Sequence, residues 1–226
     1  MTVIGCASRR ATTLAPAVQP SSSPACWIEP FDHLDPAQWR EVVLGGHTLY
    51  DAVLLDGQPC LRARSHASVS ILIHAFKGEA THCRWLSWQW RVDQAVHGEV
   101  LDQKSGSDSA ARLYVYFEAP GLPWQKRSVD YVWSTTLPVG TVVTSPVSPM
   151  SKLLIAESGT NAAGQWRTVQ RNVEEDYRRC FGQQAPPIAA IGIMSDTDNT
   201  RSDTLAYFRD IRLSRSATSS TPSHTE

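Results

Sequence analysis

The chain has 226 residues, of which 42% are hydrophobic, so it can bury one sizeable core and is short for two. Its formal net charge of -1 gives no broad attraction for phosphate backbones or anionic lipid, which argues against a general nucleic-acid binder. The sequence has no apolar run of about 20 residues, the length that a membrane-spanning helix needs. Eight tryptophans are more than a minimal core of this size requires, and they favour a planar aromatic binding surface.

Residues 1–26 are predicted to be a truncated lipobox and a flexible linker. The run Val3-Ile4-Gly5-Cys6 resembles the lipobox of bacterial lipoproteins, in which the cysteine is acylated after the signal peptide is removed. The following residues are rich in Ala, Ser, Thr and Pro and lack apolar periodicity, as in a tether. No signal-peptide pattern precedes Cys6, so either the true start lies further upstream or the match is chance. The lipobox interpretation predicts a periplasmic protein that reaches the membrane only through a lipid anchor on Cys6.

Four further cysteines, Cys26, Cys60, Cys83 and Cys180, form no CxxC pair and no zinc-binding spacing. In an oxidising periplasm one or two disulfides are expected, with three possible pairings among which the sequence does not choose. The alternative is four buried thiols that pack as small hydrophobic side chains.

Residues 27–214 are predicted to form a single domain of short strands bounded by turn residues. The strands are expected at 27–31, 47–55, 60–63, 68–75, 83–92, 110–118, 129–135, 152–157, 165–173, 188–194 and 204–213. Asp35-Pro36 indicates a single helical turn through Trp39. The last residues, 215–226, are polar and are interpreted as a disordered tail.

One helix interrupts the strands. Asn172 is its predicted N-cap, Glu175 stands three residues on as in a capping box, and Gly182 ends it. Because a parallel sheet needs a crossover helix after nearly every strand, so few helices favour an antiparallel arrangement. We therefore expect an all-β fold, an antiparallel β-sandwich of jelly-roll type with one or two short helices.

Strand alternation separates core residues from candidate ligand-binding residues. In 83–92 it places Leu86, Trp88, Trp90 and Val92 on a core face and Trp85, Ser87, Gln89 and Arg91 on the other face. In 110–118 it turns Ala111, Leu113, Val115 and Phe117 inward and Arg112, Tyr114, Tyr116 and Glu118 outward. If both strands share a sheet, one face presents Gln89, Arg91, Arg112, Tyr114 and Tyr116. Such a face suits a saccharide, especially an acidic one; the alternative is an ordinary exposed sheet face.

The connection between the last two strands is dense in short acidic residues. Asp196, Asp198 and Asn199 are candidate ligand-binding residues, and Asp196, Asp198 and Asp203 are candidate calcium ligands. The spacing is not that of an EF-hand. The alternative, which we favour, is that these side chains cap turns or pair with arginines such as Arg112, in which case Arg112 is buried rather than ligand-facing.

Enzyme signatures are poor. The sequence has no GxSxG elbow, no phosphate-binding glycine loop and no HExxH motif. A carboxylate pair, such as Asp108 with Asp196 or Asp198, could perform glycosidic acid and base chemistry if the fold brought the two together. If the fold does not bring such a pair together, the sequence predicts no catalytic residue. It predicts no cofactor other than a calcium ion.

Four ordered motifs resemble those of the bacterial domain-of-unknown-function 3047 family. They are KSGSDSAARLYVYF at 104–117, YVWS at 131–134, RNVEEDYRRCFG at 171–182 and IGIMSDTDNT at 191–200. The resemblance implies an envelope-associated, β-rich bacterial domain with no established activity. The family tends to carry an acidic pair and an aromatic residue where this chain has Ser107-Asp108 and Ser109, so a role that needs two carboxylates there does not transfer to this chain.

Three functions are consistent with these features. The leading one is a non-catalytic periplasmic domain that binds a saccharide or another polar envelope ligand. The second is a hydrolase or lyase that acts on the same class of ligand through loop carboxylates. The third is a structural or partner-binding envelope protein, which is favoured if the face with Arg112 and Tyr114 is covered by the same chain.

Overall fold

The computed structural model describes residues 25–119 and 126–217, which contain thirteen strands and one helix. The elements are β1 (Ala25–Glu29), β2 (Trp39–Gly45), β3 (Leu49–Leu55), β4 (Gln58–His66), β5 (Val69–Ala75), β6 (Trp85–Gln94), β7 (Ser109–Phe117), β8 (Ser128–Ser134), β9 (Val142–Thr144), β10 (Ser151–Ser158), β11 (Arg167–Asn172), α1 (Val173–Phe181), β12 (Ile188–Asp196) and β13 (Asp203–Ser214). The predicted lipidation site Cys6, most of the linker and most of the C-terminal tail lie outside the described residues.

The strands form two sheets. The first sheet has the order β11-β6-β13-β4-β3, with β1 also paired to β13, and the second has the order β2-β5-β12-β7-β8-β10-β9. A jelly roll has eight strands in two four-stranded sheets. The corresponding sets here are β4-β13-β6-β11 in the first sheet and β5-β12-β7-β8 in the second. The predicted β-sandwich of jelly-roll type is confirmed. Its pairs are antiparallel except β8 with β10, which run parallel.

Aromatic residues from both sheets meet in the core. Trp88 of the first sheet lies 5.1 Å from Tyr131 of the second, and Trp90 lies 5.8 Å from Trp133, measured between ring centroids. Both tryptophans are essentially fully buried, at 1% and 0% exposure. The predicted inward faces of β6 and β7 are therefore confirmed, because every second residue of each strand enters this core.

The helix has the predicted caps. The side-chain oxygen of Asn172 accepts hydrogen bonds from the backbone N–H groups of Glu174 and Glu175, at 3.2 and 3.3 Å. Gly182 ends the helix with a φ of 68°, a left-handed conformation that glycine adopts without steric cost. The predicted single turn from Asp35 through Trp39 is also present: the Asp35 carboxylate caps it, and the Trp39 N–H donates to the Asp35 carbonyl at 2.9 Å.

Two strands were not predicted. β2 lies at the edge of the second sheet, and its run Val42-Val43-Leu44 is apolar on both faces, so it shows no period of two. β9 has three residues, which is too short for a periodic signal.

One disulfide joins the first strand to the segment before β6. Cys26 and Cys83 are bonded, with a Cα–Cα separation of 6.5 Å, whereas Cys60 and Cys180 are free thiols. One of the expected disulfides is therefore present, and its partners are now assigned. Among the described residues, no helix has the length and apolar character needed to cross a membrane.

Candidate functional site

The predicted ligand-binding residues do not share one face. β6 belongs to the first sheet and β7 to the second, so Gln89 and Arg91 lie on the outer side of one sheet, and Arg112, Tyr114 and Tyr116 on the outer side of the other. The single composite face expected from the sequence is therefore wrong. Strand alternation gave the correct side of each strand, but the chain crosses between the sheets in the connection from β6 to β7.

Arg112 is buried, at 4% exposure, and it does not face solvent. Its guanidinium donates hydrogen bonds to the Ser109 hydroxyl (3.0 Å), the Ser107 carbonyl (2.9 Å) and the Tyr114 hydroxyl (3.2 Å). It lies 3.8 Å from the carboxylate of Asp196. The expectation of a buried ion pair is confirmed, and the ligand-facing alternative for Arg112 is wrong.

The two tyrosines predicted beside Arg112 are also largely covered. Tyr114 is 7% exposed, and the half-buried ring of Tyr116 stacks on it with the ring planes 2° apart and the centroids 5.4 Å apart. Burial raises the pKa of both hydroxyls. Tyr114 therefore cannot contact a ligand in this conformation, and only Tyr116 keeps partial access to solvent.

Three carboxylates meet above this arginine. Asp108, Asp196 and Asp198, here called the acidic cluster, each place an oxygen within 4.8 Å of the others. The carboxylate of Asp108 accepts hydrogen bonds from the Asn199 side chain (2.9 Å) and from the backbone and hydroxyl of Thr200 (both 2.7 Å). Asp108 and Asn199 thus secure the turn at 198–201 against the start of β7, as the hydrogen-bonding alternative predicted.

The acidic cluster differs from the predicted calcium set. Asp203 lies apart from it and contacts His66, with 2.6 Å between the carboxylate oxygen and Nδ1. Asp108 takes its place beside Asp196 and Asp198. The predicted set of calcium ligands therefore contains one wrong residue. That residue is Asp203, which belongs to β13 and contacts His66.

Burial sets the protonation of this region. It raises the pKa of Asp196 to about 7; the nearby Arg112 opposes the shift and Asp108 adds to it. It also raises the pKa of Asp130, at 1% exposure, to about 6. The Ser151 hydroxyl donates to one Asp130 oxygen, while the other has no partner among the described residues. The charge of Arg112 lowers the pKa of both Asp130 and Asp196 but does not offset the effect of burial. Some of these carboxyls therefore hold protons near neutral pH.

The outer side of the first sheet presents a different surface, which we call the basic face. It is formed by outward residues of β4, β6 and β13 and by one tryptophan that precedes β11: Arg62, Arg64, Gln89, Arg91, Trp166, Tyr207 and Arg209. Cross-strand register places Tyr207 between Arg62 on one side and Arg91 on the other.

Arg209 is the best-positioned cation of the basic face. Its guanidinium carbon lies 3.9 Å from the centroid of the Trp166 ring, and its Nε donates to the Gln89 side-chain oxygen at 2.7 Å. No carboxylate of the described residues pairs with it. A guanidinium has five N–H groups, and among the residues that the structure describes only Gln89 accepts one of them, so the other donors are held in place without an acceptor from that part of the chain.

The neighbouring arginines are partly neutralised. Arg62 makes a two-point ion pair with Asp51, and Arg91 makes one with Asp93 (2.5 Å from Nε) while Asp56 lies 3.5 Å away. These pairs fix both side chains against the sheet. Tyr207 between them is largely buried, at 8% exposure, and forms the floor of the basic face.

Sequence reasoning missed five members of the basic face: Arg62, Arg64, Trp166, Tyr207 and Arg209. A period-two pattern was present in β13, where Leu205, Tyr207 and Arg209 alternate with the core residues Ala206 and Phe208. Trp166 precedes its strand and carries no periodic signal. Its position depends on the packing of β11 against β6.

Solved structures with a similar fold have very low sequence identity to this chain. The family 30 carbohydrate-binding module of a Clostridium thermocellum cellulosomal cellulase has a TM-score of 0.47 at 10% identity, covering 83% of this chain and 97% of the module. The K3 adhesin domain of Lys-gingipain from Porphyromonas gingivalis W83 has a TM-score of 0.46 at 13% identity, covering 84% and 99%. The family 11 module of another C. thermocellum cellulase has 0.44 at 10%, covering 84% and 95%.

No curated protein sequence matches the chain. A family model does match it, over residues 37–212, which span most of the β-sandwich and include the acidic cluster and the basic face. The resemblance of the four sequence motifs is thereby confirmed. The chain belongs to the family of proteins of unknown function DUF3047.

Proposed function

We propose that this domain binds a saccharide on its basic face without turning it over. The observation that carries the proposal is Arg209, which lies over the Trp166 ring and donates to Gln89, with further donors that no described residue accepts, on the outer side of the first sheet. Sugars bind proteins by stacking their apolar C–H faces on aromatic rings while planar amide and guanidinium groups hydrogen-bond to neighbouring oxygens. The basic face offers both kinds of group within one sheet.

The state of the carboxylates supports binding rather than catalysis. Asp108, Asp130 and Asp196 are 0%, 1% and 3% exposed, so a glycosidic bond cannot reach them in this conformation. On the basic face itself, Asp51 and Asp93 are engaged in ion pairs with arginines. Of the acidic cluster, Asp198 alone is accessible, so a hydrolase or lyase using loop carboxylates would have to expose Asp108 or Asp196 beside it to form an acid and base pair.

The buried Arg112 and Tyr114 bear on the third alternative, a structural or partner-binding protein. That alternative was favoured if the same chain covered this face, and the chain does cover both residues. We therefore place no ligand on the outer side of β7, and the saccharide proposal depends on the first sheet. A cavity of about 630 Å³ at the ends of β5, β7 and β12 is lined by Ala and Pro together with Phe76, Glu118 and Lys126, and no arginine of the described residues lines it.

We further propose that the domain works in the periplasm, tethered through a lipid on Cys6. The disulfide between Cys26 and Cys83 supports an oxidising compartment, since such bonds are rare in the reducing cytosol. Intact-mass analysis of protein expressed from its natural start tests the anchor. We expect acylated Cys6 and release from membranes by Cys6→Ser, and an unmodified Cys6 would contradict it.

Binding to a panel of soluble glycans, measured by affinity electrophoresis and calorimetry, tests the main proposal. We expect Trp166→Leu to weaken binding at least tenfold, because it removes both the aromatic surface and the support of Arg209. Tyr116→Leu, on the opposite sheet, is the matched control and should bind as the parent does.

Glycan length should remain unchanged after long incubation, and new reducing or unsaturated ends would instead identify an enzyme. Absence of binding to every glycan, with the fold intact by melting, would favour the partner-binding alternative.

A further inference from the structure

We infer that the ligand of the basic face is an oligosaccharide that carries carboxylates, such as a chain of uronic acid units. This inference rests on the proposed saccharide binding and goes further, because it names the chemical class of the ligand. It is argued from the two arginines of the face that have no carboxylate partner, from their spacing, and from the charges around them.

The charge of the basic face is not balanced by its own residues. Arg62 and Arg91 have aspartate partners, but Arg64 and Arg209 have none among the described residues. With Asp56 also beside Arg91, the face has four arginines against three aspartates, a local excess of one positive charge on a chain whose formal net charge is -1. A local cationic surface on a near-neutral domain selects an anionic ligand by charge complementarity.

The orientation of Arg209 favours a planar anion. Trp166 holds one face of the guanidinium, and Gln89 accepts from its Nε, so the ring contact and the hydrogen bond together fix the plane of the group. The free donors at its far edge lie in that plane. A carboxylate accepts two parallel N–H groups in this geometry, which a single hydroxyl of a neutral sugar cannot do.

The spacing of the two unpartnered arginines favours several sugar units. Arg64 is paired across the sheet with Leu205, and Arg209 lies four residues further along the same strand. Four strand residues extend over roughly 13 Å. That distance between backbone positions exceeds one pyranose ring, so it favours an oligomer that passes over the largely buried Tyr207 between the two arginines.

The Arg64 end of the proposed ligand path lies beside a depression in the surface. The cavity has a volume of about 520 Å³ and is lined by Arg64, Leu49, Gln94 and Leu205, among others. Two histidines, His47 and His66, also line it, each within hydrogen-bond distance of a carboxylate. The lining combines apolar side chains with an unpartnered arginine. Asp203, the one carboxylate of the described lining, contacts the ring of His66, so Arg64 remains to receive the acidic group of a terminal sugar unit.

A pair of polymers with the same backbone tests the inference. The probes are polygalacturonate and its fully methyl-esterified form, with dextran sulfate as a polyanion that has no carboxylate. We expect the parent to bind polygalacturonate at least tenfold more tightly than the ester. Added salt should weaken that binding, as for any partly exposed charge pair.

Three substitutions locate the charge effect. Arg209→Gln and Arg64→Gln should each weaken polygalacturonate binding about tenfold or more, and Arg209→Lys should recover only part of it, because lysine keeps the charge but not the planar fork. Arg40→Gln, an exposed position on the second sheet, makes the same charge change and should leave binding unchanged. Melting curves confirm that each variant is folded, and the two separate arginine sites keep the test informative if one variant is not.

The outcomes separate the two proposals. Equal binding of the ester and the free acid would overturn the carboxylate inference while leaving saccharide binding intact. Dextran sulfate binding that equals polygalacturonate binding and is unaffected by Arg209→Gln would also overturn it, because it indicates unspecific attraction. No binding to any glycan, charged or neutral, would remove the saccharide proposal itself.

Discussion

Replacing Arg112 with alanine should destabilise the domain strongly. The guanidinium is buried and bonds to Ser107, Ser109 and Tyr114, and it is the nearest cation to Asp196. Its removal leaves a carboxylate at 3% exposure without a counter-charge, and it also leaves a buried carbonyl and two buried hydroxyls without their donor.

The magnitude follows from the burial of the pair. Breaking a buried ion pair by removing one partner costs about 3–5 kcal/mol, and the hydrogen bonds lost here belong to the same network and are not added separately. With a urea dependence of about 2 kcal/mol per molar, the unfolding midpoint should fall by roughly 1.5–2.5 M.

Urea unfolding at two pH values is the assay. At pH 8 Asp196 is largely ionised in the parent, since its pKa is about 7, and the full cost should be observed; uptake of a proton by Asp196 in the variant limits the charge part of that cost to about 1.4 kcal/mol. At pH 5 the carboxyl is protonated in both proteins, so the cost should shrink to that of the lost hydrogen bonds. Arg40→Ala, an exposed arginine of the same sheet, is the control and should cost less than about 1 kcal/mol.

Two results would refute this reasoning. If Arg112→Ala unfolded at the parent's urea concentration within error, the arginine would not be part of a buried pair. If the cost were the same at pH 5 and pH 8, the interaction with Asp196 would not be electrostatic. An Asp196→Asn background, in which the arginine has lost its charged partner, should reduce the pH 8 cost of Arg112→Ala.

Three further predictions concern stability. Buried Asp130 and Asp196 hold protons that the unfolded chain releases, so the free energy of unfolding should fall as pH rises between about 4 and 7. The fall should be at most about 1.4 kcal/mol per pH unit for each carboxyl. Asp196→Asn should flatten the dependence of stability on pH, and an unchanged slope would contradict the assignment. Melting curves with calcium and with chelator should coincide, because hydrogen bonds already occupy the acidic cluster; a site filled at a hundredfold excess of calcium would instead add about 2.7 kcal/mol. Replacing Cys26 and Cys83 with serine should cost about 4 kcal/mol in the loop-entropy model for a sequence separation of 57, and equal stability of oxidised and reduced protein would argue against the bond.

Local features of the fold could be predicted from the sequence. The alternation in β6 and β7 identified the core tryptophans because a strand turns successive side chains to opposite faces, whatever sheet it joins. The caps of α1 at Asn172 and Gly182 were also predicted, since capping involves residues only a few positions apart.

Sheet membership could not be predicted. Consecutive strands β6 and β7 have similar patterns, yet they pair with different neighbours, and nothing in either pattern records the crossing between sheets. The composite face with Gln89 and Arg112 was wrong for this reason. Long-range pairings similarly decided that Asp108 rather than Asp203 joins Asp196, and that Trp166 lies on Arg209.

The most direct test of the proposed function is a crystal structure of the domain with an oligogalacturonate. We predict glycan density along β4, β13 and β6, above Tyr207, with a carboxylate against the free edge of Arg209 and a ring near Trp166. Glycan bound instead on the outer side of the second sheet, with the basic face left bare, would contradict it.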